Sequence, residues 1–218
     1  MKRPVKASVK DEKLIEIRRN QIIRGAVTLF KEKGFHRTTT REIAKAAGFS
    51  IGTLYEYIRT KEDVLYLVCD NIYDGVKEKL SEMDVNGGTI SQLKQAIAYY
   101  FHLMDELQEE VLVMYQEAKS LSKDAIPYVL QKEMEMVDMF QVLLRNCVRS
   151  GEIELDEQQI YVTANDIFVQ GQMWAFRRWA FQRRYTIEEY IELQTELVCH
   201  GIECKRGKVK HGNLSTKA

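Results

Sequence analysis

With 218 residues, 45% of them apolar, the chain is long enough to bury a substantial core, and no stretch approaches the roughly 18 uninterrupted apolar residues of a membrane helix. Its 32 Lys and Arg balance 32 Asp and Glu, yet residues 1–61 carry 15 basic against 6 acidic side chains, residues 62–204 carry 12 against 26, and residues 205–218 carry 5 against none. A basic head on an acidic body concentrates attraction to a polyanion on one surface, so nucleic acid is the first candidate partner and anionic membrane the second.

The N-terminal "MKRPVKASVKDEK" lacks the apolar segment of a secretory signal, and a cytoplasmic location is expected. Lys2, Arg3, Lys6 and Lys10 form a basic arm suited to sequence-independent attraction to phosphates. Prolines occur only at positions 4 and 127, and apolar residues recur at three- and four-residue steps, which predicts an all-α fold. The first helix is expected over about 11–33, with Ile22, Ala26, Leu29 and Phe30 as its inward stripe, Gly34 as its stop and Phe35 returning to the core.

Thr39 with Glu42 reads as a capping box that starts a second helix, Thr40 to Ala47. Gly48 allows a sharp turn, Phe49 anchors it, and Ser50 caps a third helix over about 51–58. Leu54 and Ile58 share the buried face of that helix, while Ser50, Thr53 and Tyr57 share an offered one. Two short helices joined this way make a helix-turn-helix, with the second sized for the major groove of B-form DNA. Thr39, Thr40, Tyr57 and Lys61 are the expected phosphate contacts; Arg41, Ile51, Gly52, Thr53 and Tyr55 stand where a base edge or a thymine methyl can be met.

Thr60 with Asp63 opens a fourth helix that runs to about residue 80. After a flexible "DVNGG" break at 84–88, further helices are expected near 89–107, 109–121, 125–150, 156–182 and 187–204, with Pro127 in a first turn, Gly151 as a terminator and Thr186 with Glu189 as another capping box. Residues 205–218 read as a mobile basic tail. The expected organisation is a DNA-binding domain over 1–60, a helical ligand-binding and dimerisation domain over 61–204, and that tail.

The ordered string "REIAKAAGFSIGTLYEYIRTKEDV" resembles the DNA-binding signature of the tetracycline-repressor (TetR) family of bacterial regulators, matched by Thr39, Ile43, Ala44, Ala47, Gly48, Ser50, Leu54, Tyr55, Tyr57, Lys61 and Val64. The likeness extends over residues 11–66; Phe49 stands where valine is frequent and Ile58 where phenylalanine is frequent. The resemblance implies a homodimer that reads a palindromic operator, most simply as a repressor, and a C-terminal domain that binds a small hydrophobic inducer.

In the body, aromatic and methionine side chains such as Phe101, Met104, Tyr115 and Met136 read either as core packing or as the lining of an adaptable cavity. A helical stripe of Ile160, Ala164, Ile167, Gly171 and Trp174, running into the segment 165–202, leads to Arg178, aimed partly inward, whose partner is Asp166, another acidic body residue, or an anionic ligand. The run "MWAFRRWAF" followed by "YTIEEY" resembles the C-terminal domain of TetR regulators that respond to acyl-coenzyme A thioesters and control fatty-acid or sterol breakdown. That resemblance implies an acyl-CoA inducer, with Trp174 as apolar contact and Arg177, Arg178, Arg183 or Arg184 at the phosphates; pairing of those arginines with Glu188, Glu189 or Glu192 across a dimer is the competing role. The last two helices are expected at the dimer seam, with Ile191, Leu193, Leu197, Val198 and Ile202 as its apolar surface.

Cys69, Cys147, Cys199 and Cys204 are scattered without metal-binding spacing and read as reduced thiols; Cys199, His200 and Cys204 would need a ligand from elsewhere to hold a metal. No cofactor beyond the inducer is expected. His36, His102, His200 and His211 lie far apart and no nucleophile or phosphate-loop motif occurs, so no enzyme is read here. A multidrug-sensing repressor that holds a lipophilic cation, and a ligand-independent DNA-organising factor, are the alternative readings.

Overall fold

The computed structural model describes residues 5–81 and 88–203. The expectations placed on Lys2 and Arg3, on most of the 84–88 break, on Cys204 and on the 205–218 tail lie outside the described residues. Helix α1 (Glu12–Lys33) starts where the Asp11 carboxylate accepts from the Leu14 amide at 3.1 Å, and stops at Gly34, whose φ of 82° suits a residue without Cβ. Helix α2 (Thr40–Ala46) carries the expected capping box, Glu42 N–H to the Thr39 hydroxyl at 3.3 Å and Thr39 N–H to the Glu42 carboxylate at 2.9 Å. It crosses α1 at Gly25, where an added Cβ would sit 3.1 Å from Ala46.

Gly48, at φ 78°, turns the chain into α3 (Ile51–Tyr57), where the Ser50 side chain accepts from the Thr53 amide as its cap. Leu54 and Ile58 are wholly buried, together with Ile22, Ala26, Phe30 and Phe35. Two helices of seven residues are too short to persist alone, and this shared apolar underside is what holds them.

Helix α4 (Lys61–Ser81) opens with the Asp63 carboxylate accepting from Arg59 N–H and Thr60 N–H at 2.9 and 3.0 Å. Every residue from Asp63 to Asp70 is buried, so these two turns are enclosed all round, while Asn71, Asp74, Lys77 and Glu78 farther along the helix are exposed. Around it pack α5 (Ile90–Glu106), α6 (Gln108–Glu117), α7 (Ile126–Arg149), α8 (Glu157–Phe176) and α10 (Ile187–Glu203). Helix α8 approaches α5 closely at Gly171, where a Cβ would fall 2.4 Å from the Tyr100 ring, and the Tyr100 hydroxyl donates to the Phe168 carbonyl at 3.0 Å.

The helices differ from expectation at two places. The expected 109–121 helix ends at Glu117 and gives way to one 3-10 turn, Ala118–Ser120. The expected 156–182 helix breaks at Arg177, and the four-residue α9 (Arg178–Phe181) follows at a new angle of backbone. Contacts to the α5–α6 corner accompany the break: Trp174 Nε1 donates to Asp105 at 2.6 Å, Arg178 to Glu109 at 2.9 Å, and the Gln182 amide to Gln108 at 3.0 Å. Periodicity in sequence carries no signal for these long-range polar bonds. The other boundaries hold to within a few residues, and the fold is all-α among the described residues.

Candidate functional site

The outer surface of α2 and α3 presents Thr39, Arg41, Ser50, Gly52 and Tyr55 exposed, with Thr40, Ile51 and Thr53 half-buried beside them. Capping fixes the start of α3 rigidly: the Ser50 hydroxyl accepts from the Thr53 amide at 3.0 Å and lies 3.0 Å from the Thr53 hydroxyl. A second hydroxyl pair, Thr40 to Tyr55 at 3.1 Å, ties the start of α2 to the middle of α3. Tyr55 is 49% exposed, and an added Cβ at Gly52 would meet only the Ser50 hydroxyl, at 3.6 Å, so the main chain there is open to close approach. The arrangement offers hydroxyls, one guanidinium and an aromatic edge on a single pre-set face.

Two expected DNA contacts need correction. Tyr57 is only 3% exposed: its ring lies 6.5 Å from Phe49 and its carbonyl accepts from Arg19 at 3.3 and 3.4 Å. Position 57 falls between the Leu54 and Thr53 azimuths of a 3.6-residue helix, and packing against α1 draws it inward. The Lys61 ammonium is committed elsewhere as well, donating to the carbonyls of Phe35, His36 and Thr38 at 2.7, 3.3 and 3.0 Å and lying 4.3 Å above the Phe35 ring. It therefore fastens the start of α4 to the α1–α2 connection rather than facing outward.

Sequence reading passed over Arg19, which also donates to the Val5 carbonyl and so clamps the N-terminal segment to the end of α3; burial lowers its pKa. Nothing in its position on an amphipathic helix distinguishes it from a solvated arginine. Glu42, hydrogen-bonded to Lys33 and to Thr39, has its carboxyl lowered to about 2, which keeps the α2 cap ionised. Lys6 and Lys10 are exposed.

The six residues expected around a ligand are not brought together. Met104 and Met136 line an interior cavity of about 10 Å³. Phe101 and Trp174 are buried against Tyr190, with ring centroids 5.8 and 5.0 Å away, and do not reach that cavity. Tyr115 is 62% exposed and stacks on Phe176 at 4.1 Å, on the outside of the body. Arg178 pairs with Glu109 instead of Asp166, while Arg177 lies 5.2 Å over the Trp179 ring and Arg183 and Arg184 are exposed. Aromatic and methionine content alone did not separate lining from packing.

On the far side of the body, α8 and α10 enclose a groove of about 650 Å³ lined by Val162, Asp166, Gln170 and Leu197 among others. Val162 and Leu197 of this lining are exposed, Leu197 to 66%, and Val169 on α8 and Leu193 on α10 are exposed on the same two helices. Ile191, Val198 and Ile202, expected at a dimer seam, are more than nine-tenths buried within the single chain, and Val198 and Ile202 also line this groove. The apolar stripe of α10 is wide enough to serve two faces, and only packing against α5 and α8 divides it. Cys69, Cys147 and Cys199 are buried and in no disulfide, and burial raises the Cys69 pKa to about 12.

Comparison with known proteins agrees with this geometry. Residues 22–66 match the family model of bacterial regulatory proteins, tetR family, and residues 86–174 match that of the tetracyclin repressor-like C-terminal domain. The HTH-type transcriptional regulator HbdR of Aromatoleum sp. (strain CIB) is 30% identical over 98% of this chain and 93% of its own length. Among solved structures, the fatty acid degradation regulator FadR from Bacillus halodurans aligns with a TM-score of 0.67 at 25% identity, covering 88% of this chain and 96% of that one. AibR, solved in complex with isovaleryl coenzyme A and operator DNA, has the same fold, with a TM-score of 0.69 at 21% identity over 83% of this chain and 97% of that one. A reading head on capped short helices, a connecting helix enclosed near its start and a relative similar along nearly its whole length converge: the chain belongs to the TetR family of DNA-binding transcriptional regulators.

Proposed function

We propose that the protein is a homodimeric repressor, acting in the cytoplasm, that grips the two halves of a palindromic operator and releases them when an acyl-coenzyme A thioester enters its helical body. The observation that carries the DNA-binding half is the outward face of α3, where Thr53 and Tyr55 stand opposite a fully buried Leu54 and Ile58. Thr39, Thr40 and Ser50 at the helix starts supply phosphate contacts, and Arg41, Ile51, Gly52, Thr53 and Tyr55 the base readout. One such helix reads few bases, and a two-fold pair multiplies the discrimination. The exposed Val162, Val169, Leu193 and Leu197 supply an apolar surface for the second subunit.

Support for the thioester comes from relatives: FadR of Bacillus halodurans is named for fatty acid degradation, and AibR binds isovaleryl coenzyme A. The methionine-lined interior of this chain suits an apolar chain of that kind. Thermal-shift measurements with butanoyl- and octanoyl-CoA against a lipophilic cationic dye test the reading, because a ligand that binds only the folded state raises Tm by mass action. Stabilisation by the thioesters, together with release of a selected operator duplex, is expected. Stabilisation by the dye alone would overturn the thioester and leave the DNA-binding reading intact.

A further inference from the structure

The segment that precedes α1 is fastened to the reading head. Ser8 N–H donates to the Glu56 carbonyl at 2.8 Å, and the Ser8 hydroxyl donates to the same oxygen at 3.4 Å. The Arg19 guanidinium adds a second fastening, since it donates to the carbonyls of Val5 and Tyr57 together. Glu56 and Tyr57 belong to the last turn of α3, whose carbonyls have no partner within the helix itself. The arm and Arg19 supply those partners, and this holds the arm in one place beside the end of α3.

Exposure alternates along the arm. Val5, Ala7 and Val9 are half-buried and line a cleft with Ile15, Ile23 and Leu67, while Lys6, Ser8 and Lys10 are exposed. Ser8 is the residue bonded to Glu56, so the side of the arm turned to the end of α3 is the side that carries the two lysines. Two ammonium groups therefore flank the base of the helix whose outer face presents Thr53 and Tyr55. A helix C-terminus carries partial negative charge, which gives the lysines a purely structural role as the alternative.

We infer that residues 5–10 form a fixed second DNA-contact element, in which Lys6 and Lys10 bind duplex phosphates beside the groove that α3 enters, and that Arg19 is the positioning residue that sets their place. An ammonium on a tethered segment gives up less freedom on binding than one on a free chain, so its phosphate contact is worth more. These contacts are additional to those of α2 and α3. They depend on neither the inducer nor the operator sequence, because the phosphates of any duplex are alike.

Binding of the full chain to a selected operator and to a random duplex, read by fluorescence anisotropy over a series of salt concentrations, tests both parts. The variant carrying Lys6→Gln and Lys10→Gln is expected to keep its Tm and to lower the slope of log affinity against log salt by about 2 for each subunit bound, on both duplexes. An unchanged slope overturns the DNA contact and leaves the lysines to the helix end alone. A double-mutant cycle tests the placement: in an Arg19→Gln background the same lysine changes should alter the slope by less than about half as much. Ser8→Pro, which deletes the N–H donated to Glu56 at an exposed residue, should act in the same way, and it decides the matter if Arg19→Gln does not fold. A lysine contribution of equal size with and without these fastenings would mean that the arm acts as a free chain, and would overturn the positioning role.

Discussion

The Lys31 ammonium lies 2.7 Å from Oε1 of Glu109, the oxygen that also accepts from Arg178 at 2.9 Å. Lys31 belongs to the last turn of α1, Glu109 to the first turn of α6 and Arg178 to the start of α9, so one carboxylate oxygen joins the reading head to two helices of the body. The second oxygen, Oε2, is buried without a partner. Two further bonds run along the same seam: the Glu117 carboxylate accepts from Phe35 N–H at 3.1 Å, and the Ser120 hydroxyl lies 3.2 Å from His36 Nε2.

Replacing this carboxylate tests the seam. Burial pushes the Glu109 carboxyl up, but the Lys31 hydrogen bond and the Arg178 charge outweigh it and leave the pKa lowered. The pair is about a third exposed, so Glu109→Gln is expected to cost on the order of 1 kcal/mol or less in global stability. Its local effect is larger: amide exchange should quicken at both Phe30–Lys33 and Arg178–Phe181, read by hydrogen-exchange mass spectrometry. Unchanged protection at either end contradicts the coupling. Because the folded pKa is lowered, this stabilisation is complete above the ordinary glutamate value of about 4.3 and lost as pH falls through the folded value.

Two neighbouring tyrosines separate reading from packing. Tyr55→Ala should leave Tm nearly unchanged and weaken binding to a selected operator by about 1–3 kcal/mol per half-site, measured by fluorescence anisotropy. Tyr57→Ala removes a buried aromatic and should cost about 3–5 kcal/mol of stability in a denaturant titration. The reverse pattern would show that the reading face has been assigned to the wrong side of α3.

Gly171 sets how closely α8 approaches α5. A methyl group there meets the Tyr100 ring at 2.4 Å, and Tyr100 is held by its bond to the Phe168 carbonyl, so it cannot swing aside freely. Gly171→Ala is expected to destabilise by about 1–3 kcal/mol despite the better helix propensity of alanine. A higher denaturation midpoint would mean that the two helices separate without penalty.

An interface between subunits should be most sensitive where an apolar side chain faces solvent in the single chain. Leu197→Glu is expected to yield a folded monomer by analytical ultracentrifugation and to lose operator binding, whereas Val198→Ala should lower stability without changing the association state. A Leu197→Glu protein that remains dimeric would move the interface away from α8 and α10.

Glu133 gives a pH dependence of opposite sign. Burial raises its carboxyl pKa, with the Tyr73 hydrogen bond opposing the rise. The folded state therefore holds a proton that the unfolded chain releases, and stability falls as pH climbs above about 4.3 toward the folded value. Glu133→Gln should flatten that part of the curve and leave the protein at least as stable at pH 7. A steeper decline in the variant would assign the slope to other groups.

The reading head was legible because its instructions are local. Thr39 with Glu42, Gly48 and Ser50 each act on amides within three or four residues, so cap, turn and cap follow from spacing, and the buried Leu54 and Ile58 follow from helical period. Tyr57 was misread because its azimuth is intermediate, and Lys61 because the carbonyls of Phe35, His36 and Thr38 converge on it only after the chain folds back. In the body, composition marked aromatic and methionine richness but could not separate Met104 and Met136, which wall the cavity, from Phe101 and Trp174, which pack elsewhere.

By itself the sequence determined the all-α class, nearly every helix boundary, the charge division between head and body, and the family. Tertiary structure alone decided that Arg178 and Lys31 meet on Glu109, and that α10 turns Val198 inward and Leu197 outward. The physical reason is range: hydrogen bonds within one helical turn are set by neighbours in the chain, whereas the partner of a charge or an amide some seventy residues away is fixed only once the helices have docked.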